Sequence, residues 1–281
     1  MSGRLIVVPT PIGNLGDITL RAIESLRSAD IVYAEDTRRT QALLHHLGIR
    51  KPLRSLFLAN ERERGREAVA DLEAGRTVAL VSDAGTPGIS DPGAGLVQDA
   101  LAQGIQVDVL PGPQAILPAL LLSGLTPSPF TFFGFLPRAR AQRRAALADL
   151  RPLPWTLVFY EAPHRLPAML ADLLDVLGDR PAAVVREISK LHEESRRAHL
   201  SELVAWSAAE SVRGEIAVVV DGQPPEVDRP APEDLPAIIQ AALAEGLGPS
   251  AAAKIARERG YARGEAYREA LRQAGRRPDG G

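Results

Sequence analysis

Four stretches of the sequence combine residue types that can do chemistry. Pro9-Thr-Pro-Ile-Gly-Asn14 and Pro111-Gly-Pro-Gln114 are rich in proline and glycine, and Glu35-Asp-Thr-Arg-Arg39 is charged. Ser82-Asp-Ala-Gly-Thr-Pro-Gly-Ile-Ser-Asp-Pro-Gly93 joins glycine and proline to two carboxylates, Asp83 and Asp91. Glycine at such places lets backbone N–H and C=O groups approach a ligand without a side chain intervening. Glu35, Asp36, Asp83 and Asp91 can act as bases or bind Mg²⁺, and an aspartate at a strand end equally caps a turn. Arg38 and Arg39 suit an anionic substrate or pair with the acids beside them. A second basic run, Arg138, Arg140, Arg143 and Arg144, has the same two readings: a phosphate contact or a solvated helix start.

Other chemistries are excluded. No G-x-x-x-x-G-K-[ST] is present, and no G-x-G-x-x-G follows the first apolar run. The chain has no cysteine, so thiolate nucleophiles, disulfides and cysteine-based metal sites are absent. His192-Glu193 begins like H-E-x-x-H, but Arg196 stands at the closing position, so no metal is expected.

Each of the four loops follows a short apolar run: Leu5–Val8, Asp30–Ala34, Val78–Ser82 and Gln106–Leu110. Between them lie helical patterns closed by Gly48, Gly75 and Gly104, where a residue with positive φ is wanted. Such alternation predicts an open, mostly parallel sheet over 1–127, whose carboxyl edge gathers the four loops. After Pro127-Ser-Pro129, strands at Phe130–Phe135, Trp155–Tyr160, Ala182–Ile188 and Glu215–Asp221 alternate with three helical patterns. This predicts a second α/β domain over 128–222 with a mixed sheet, and most of its aromatics are expected in the core. Residues 223–232 hold four prolines and read as a stiff linker. Residues 233–281 read as a small helical unit, with Ser250 as an N-cap. From Lys254 onward it carries eight basic against four acidic residues.

The 281 residues are 45% hydrophobic and 24% charged with a formal charge of −2, the balance of a globular protein rather than a polybasic coat for nucleic acid. No run approaches the length of a membrane span and no secretory signal pattern opens the sequence, so the expected location is cytoplasmic.

Seven motifs then carry a resemblance. They are Pro9-Thr-Pro-Ile-Gly-Asn-Leu-Gly-Asp-Ile-Thr19, Ala34-Glu-Asp-Thr-Arg38, Ser82-Asp-Ala-Gly-Thr-Pro87, Pro111-Gly-Pro113, Gly134-Phe-Leu-Pro137, Phe159-Tyr-Glu-Ala-Pro-His-Arg165 and Glu187-Ile-Ser-Lys-Leu-His-Glu193. In order over about 5–222, they are similar to the small-subunit ribosomal RNA methyltransferase I family of the tetrapyrrole-methylase superfamily. The resemblance implies two α/β domains with S-adenosylmethionine in the cleft between them, plus the C-terminal helical unit. It implies 2′-O-methylation of a cytidine in the decoding region of 16S rRNA in the small ribosomal subunit, by a homodimer. By motif match, Pro11, Ile12, Asp83, Gly85, Thr86, the turn Pro111, Gly112, Pro113 to Ala115, Tyr160 and Ile216 would line the cofactor. Where the family often shows His-Asn-Glu, this chain reads Ala59-Asn60-Glu61, leaving Asn60 and Glu61 as the matching positions.

A ribose hydroxyl is a poor nucleophile while protonated, so a base or an oxyanion stabiliser is expected near it. Glu35 or Asp36 would accept the proton or orient the ribose, and Arg38 would hold a phosphate. Lys190 would stabilise the oxyanion, or simply pair with Glu187 or Glu194. Arg138–Arg144 and the basic tail, with Lys254 and Arg257, would recruit the RNA. Two other readings stand beside this one: a tetrapyrrole or other small-molecule methyltransferase, and a non-catalytic RNA-binding assembly factor. A Mg²⁺-dependent phosphohydrolase using Asp83 and Asp91 is more distant.

Overall fold

The computed structural model describes residues 3–223, 234–261 and 263–275. Residues 3–223 fall in one compact unit and the C-terminal helices in another. The proposed proline-rich linker lies outside the described residues.

The first sheet contains β1 (Arg4–Val7), β2 (Ile31–Ala34), β3 (Leu53–Ser55), β4 (Thr77–Val81) and β5 (Gln106–Val109), all parallel in the order β3-β2-β4-β1-β5. Helices α1 (Leu20–Ser28), α2 (Thr37–His46), α3 (Glu61–Glu73) and α4 (Ala94–Ala102) connect them. Leu5, Val7, Val78 and Leu80 join one core layer while Ile6, Val8, Ala79 and Val81 join the other. That is the two-faced burial that makes parallel strands read as continuous apolar runs. Edge strand β5 departs from it: Val109 is exposed and Asp108 pairs with Arg4.

The second sheet is mixed, as expected. Helix α5 (Ile116–Ser123) precedes it; β6 (Phe130–Phe135), β7 (Thr156–Glu161), β8 (Pro181–Arg186), β9 (Glu194–His199) and β10 (Ile216–Val220) pair in the order β6-β7-β10-β8-β9. Helices α6 (Arg140–Leu150), α7 (Leu166–Leu177) and α8 (Leu200–Ala209) cover one face. The other face is covered by α5, whose Ala119 and Leu120 pack on Val158, Ala183, Ala217 and Val219.

This corrects the boundary at 127. Helix α5 belongs to the second sheet, so the chain changes lobe in the 110–115 loop. The pattern concealed α5 because Pro118 interrupts it, yet a proline in the first turn removes no intrahelical bond. Strands β3 and β9 are additions to the strands expected from the sequence. The first has three half-buried residues, and the second, Glu-Ser-Arg-Arg-Ala-His, is a polar edge strand without apolar alternation. The aromatics of β6 are a further correction: Phe130, Phe133 and Phe135 are exposed, because β6 is an edge strand.

The C-terminal unit holds α9 (Asp234–Ala244), α10 (Pro249–Glu258) and α11 (Arg263–Gln273) around Ile239, Ala252, Ala256, Tyr261, Ala266 and Ala270. Ser250 is not the N-cap. Gly248 caps α10 and Pro249 occupies its first position, where the missing N–H costs nothing.

Candidate functional site

The loops after β1, β2, β4 and β5 leave the same edge of the first sheet and are fastened to one another. Thr10 and Gly85 exchange two backbone hydrogen bonds of 2.9 Å, and Thr10 Oγ1 donates to the Ser82 carbonyl at 3.0 Å. The Asp36 amide donates to Asp83 Oδ1 at 3.0 Å while the Asp83 amide donates to Glu35 Oε2 at 3.2 Å. Gly112 packs on Pro9 so tightly that a β-carbon there would lie 2.7 Å from the proline ring. Glycine at 112 is therefore a steric requirement of loop contact.

These contacts leave a cradle floored by Gly85. Its φ of +82° favours glycine, and a β-carbon there would project to 3.6 Å from Ile12 and 3.7 Å from the Pro113 carbonyl. The second lobe closes the cradle. Ile12, Ala115 and Tyr160 pack on the face of the second sheet that carries Val158 and Ala217, and the Ala115 backbone bonds the Tyr160 hydroxyl. Phe132 and Phe135 hold the tyrosine ring at centroid distances of 5.0 and 5.7 Å. Pro11 and Thr86 flank Ile12 and Gly85 in sequence and are half-buried, while Pro111 is exposed.

Ile216 stands apart from this group. It is buried against Leu136, Phe159 and Leu200, on the sheet face away from Tyr160. Side chains alternate along a strand, so the residue on Tyr160's face is Ala217, its registered partner across β7 and β10. The Ile216 side chain therefore does not line the cradle.

The carboxylates separate by environment. Asp36 caps α2, accepting the Arg38 amide at 2.8 Å and pairing with its guanidinium at 2.8 Å. Hydrogen bonds from Arg38 pull its pKa down to about 2, so it is held ionised and makes a poor proton acceptor. Asp91 is the opposite case. Burial pushes its pKa up to about 6, helped by the negative charges of Glu35 and Asp83 and opposed by a hydrogen bond from Ser82. Burial and the nearby Asp91 raise the Tyr160 hydroxyl to about 12, which keeps it protonated. Asp91 is the site residue that motif matching left out; its signal is the Ser-Asp-Pro-Gly end of the glycine-rich loop. Among the described residues no group of three or more His, Cys, Asp or Glu is placed to hold a metal ion.

Lys190 reaches the rim from the second lobe. Its ammonium lies 2.8 Å from Glu187 and 3.1 Å from Glu215, whose charges outweigh burial and raise its pKa. Glu187 is thus its partner as expected, while Glu194 instead pairs with Arg186.

The expected RNA contacts divide. Arg38 and Arg39 are exposed beside the cradle, with Arg39 3.4 Å from Asp83. Asn60 and Glu61 are engaged internally, a correction to their expected role: Asn60 accepts the Phe57 amide at 2.7 Å. Glu61 accepts the amides of Gly93 and Gly95 at 2.9 and 3.3 Å, capping α4 and anchoring the far end of the 82–93 loop. Arg143 is likewise corrected. It is buried with its guanidinium 2.6 Å from Asp172, so it pins α6 to α7 and cannot meet a phosphate. Arg140 and Arg144 also pair with Asp172 but keep exposed portions, and Arg138 is exposed. Lys254 and Arg257 are exposed on α10 of the C-terminal unit.

Comparison with known proteins agrees with this architecture. The family of tetrapyrrole (corrin/porphyrin) methylases matches residues 4–204. The ribosomal RNA small subunit methyltransferase I of Pseudomonas aeruginosa is 45% identical over 279 residues, 98% of this chain and 99% of that protein. The same-named protein of Halalkalibacterium halodurans is 47% identical over 226 residues, covering 80% and 78%. Among solved structures, a diphthine synthase superposes with a TM-score of 0.59 at 16% identity, covering 78% of this chain and 90% of its own. A uroporphyrin-III C-methyl transferase from Thermus thermophilus, complexed with S-adenyl homocysteine, gives 0.54 at 24% identity, covering 77% and 97%. The chain therefore belongs to the tetrapyrrole methylases and, within them, to the ribosomal RNA small subunit methyltransferase I family.

Proposed function

We propose that this protein transfers a methyl group from S-adenosylmethionine to the ribose 2′-OH of a cytidine in the decoding region of 16S rRNA, in the small ribosomal subunit of the cytoplasm. The carrying observation is the Gly85-floored cradle between two lobes, in a chain that aligns along nearly its whole length with a relative named for ribosomal RNA methylation. The residues present fit the cofactor. Gly85 leaves open the volume a β-carbon would fill, and Ile12, Pro113, Ala115 and Tyr160 border it with apolar surface and backbone polar groups. Pro11, Asp83, Thr86, Pro111 and Gly112 belong to the same fastened loops.

Bound S-adenosylmethionine supplies an electrophilic methyl group. The protein's task is to hold the ribose oxygen in line, exclude water and receive the proton. Asp91 suits the last role: it is half-buried near Glu35, Asp83 and Tyr160 and is basic above about pH 6. Glu35 orients the 82–93 loop through the Asp83 amide and stands ready to position the ribose. Lys190 supplies positive charge at the rim for the developing oxyanion, and Arg38 and Arg39 hold phosphates beside it. Arg138, Arg140 and Arg144 offer further RNA contacts on the second lobe, and the C-terminal unit offers its own through the exposed Lys254 and Arg257 of α10.

The protein acts as a homodimer in this reading. Leu117 and Leu121 lie one turn apart on α5 and are exposed, an apolar strip that a second copy would cover.

The test is transfer of labelled methyl from S-adenosylmethionine to small ribosomal subunits, free 16S rRNA and a tetrapyrrole, with nucleoside analysis. A 2′-O-methylcytidine product from the ribosomal substrate is expected. Label in the tetrapyrrole alone would overturn the reading.

A further inference from the structure

Edge strand β6 leaves aromatic rings at the surface, and Phe135 is the most open of them at 52% exposed. Residues two apart on a regular strand share a face, so Phe133 and Phe135 would lie together with Phe132 opposite. A bulge between Phe132 and Gly134 breaks that alternation. Gly134, at φ of +80°, registers with Phe159, and Phe135 registers with Tyr160. The extra residue turns Phe135 onto the face of Phe132, and both rings meet Tyr160, at 5.7 and 5.0 Å between centroids. Phe133 instead meets Phe159, at 6.2 Å. Bulges beside active sites re-aim side chains in this way.

Phe135 thus touches the tyrosine that closes the cradle and keeps half of its surface open. Its neighbour Gly134 is buried against the 82–93 loop, where a β-carbon would lie 3.5 Å from Ser90 Oγ, one residue before Asp91. On the other side the backbone is pinned. The Leu136 and Pro137 carbonyls accept from Arg165 Nη2 at 2.8 and 3.5 Å, and the Arg138 carbonyl accepts from Arg143 Nη1 at 3.2 Å. Arg165 is held in turn by the buried Glu161 at 3.2 Å. The Arg138 side chain is exposed, and three residues of chain separate it from Phe135 by at most about 10 Å. An open aromatic ring and a cation therefore stand at a fixed spacing beside the cradle.

We propose that Phe135 stacks a nucleobase of the RNA strand that crosses the cradle, while Arg138 holds a phosphate of the same strand. The inference rests on the RNA methyltransferase reading above. Stacking requires only a π face, so the contact fixes where the strand lies and not which base is read. Unstacked bases of single-stranded RNA are commonly held on aromatic side chains. A protein strand is the competing occupant of an open sheet edge. The bulge interrupts the regular row of backbone groups that such a strand would need, and the exposed Arg138 and Arg140 that follow favour a polyanion with stackable faces.

The experiment uses the full-length protein and small ribosomal subunits. Phe135→Leu keeps an apolar side chain against Tyr160 but removes the aromatic face, and Phe135→Trp keeps the face. Affinity for S-adenosylhomocysteine, measured by calorimetry, is expected within twofold of wild type for both, which reports an intact cradle. Subunit affinity, measured by filter binding over a salt series, is expected to fall about tenfold for Phe135→Leu with an unchanged salt slope, the effect of one lost base stack. Phe135→Trp is expected to restore it, and Arg138→Ala to flatten the slope by about one phosphate contact. In methyl transfer the Phe135→Leu loss should appear in KM for the subunit and not in kcat. Phe135→Leu within twofold of wild type in subunit affinity, or Phe135→Trp as weak as Phe135→Leu, overturns the stacking assignment and leaves the methyltransferase reading intact. A changed oligomeric state in sedimentation with unchanged subunit affinity overturns it in favour of a protein partner. Loss of cofactor affinity together with subunit affinity overturns it in favour of mere support for Tyr160. Absence of wild-type transfer to any RNA overturns both readings.

Discussion

Lys190 lays its aliphatic stem across Gly13, so closely that a β-carbon at Gly13 would overlap it. The contact joins the second lobe to the loop after β1, and the adjoining Ser189 hydroxyl bonds Asp17 of the same loop. Backbone at both ends is unusual: Gly13 has φ of +154°, and Glu187 and Ser189 have φ of +53° and +67°. Left-handed backbone in non-glycine residues costs of order 1 kcal/mol each and persists where surrounding contacts enforce it.

Gly13→Ala should therefore displace Lys190 and loosen the two lobes. A loss of about 1–3 kcal/mol in unfolding free energy is expected by denaturant titration, with a weaker cofactor affinity. Lys190→Met retains the stem without the charge. If the ammonium stabilises the oxyanion, kcat falls by about tenfold or more while the melting temperature changes little; a change in stability alone would assign Lys190 to its pairs with Glu187 and Glu215.

Asp91 predicts a pH dependence. Above about pH 6 it is ionised and able to accept a proton, so kcat should rise through that region to a plateau. Asp91→Asn should lower kcat about 100-fold and remove the step.

The same residue predicts a stability gain. Burial raises its folded-state pKa from 3.8 to about 6, so the folded protein binds that proton more tightly than the unfolded chain. Its contribution is most favourable below pH 3.8 and is lost as pH rises through about 6. Asp91→Asn should then stabilise the protein at neutral pH by about 1 kcal/mol, after allowing for solvent screening of a half-buried group. Chemical denaturation at pH 5 and pH 7.5 checks the sign: the gain should be larger at pH 7.5.

Glu61→Ala removes the acceptor for the Gly93 and Gly95 amides. Loss of this N-terminal cap should cost about 1–2 kcal/mol. The 82–93 loop carries both Gly85 and Asp91, so cofactor binding should weaken as well. Calorimetry on the folded variant measures this, and unchanged affinity would separate the cap from the cradle.

Asp172 gathers Arg140, Arg143 and Arg144, with only Arg143 fully buried. Asp172→Ala leaves the Arg143 charge buried without its counter-ion, and a loss of about 3 kcal/mol is expected in thermal or chemical unfolding. Arg138→Ala, at an exposed position, should instead leave stability unchanged and reduce the salt dependence of RNA binding.

The sequence by itself determined the parallel first sheet, the mixed second sheet and the loops that hold Pro11, Ile12, Gly85 and Pro113. Buried parallel strands must be apolar on both faces, and close loop contacts must use glycine and proline; both requirements are written in residue type. Tertiary structure decided the rest. It assigned α5 to the second sheet, exposed the β6 aromatics at an edge and placed Ile216 on the face away from Tyr160. A one-residue difference along a strand reverses the face a side chain takes, and a motif match does not carry that register. Charge is similarly ambiguous in sequence. Asp36, Asp83 and Asp91 are the same residue type near one another in the fold, yet Arg38 makes the first a poor base and burial makes the last a good one. Desolvation and pairing depend on which groups the packed chain brings within a few ångströms, and only the folded protein specifies that.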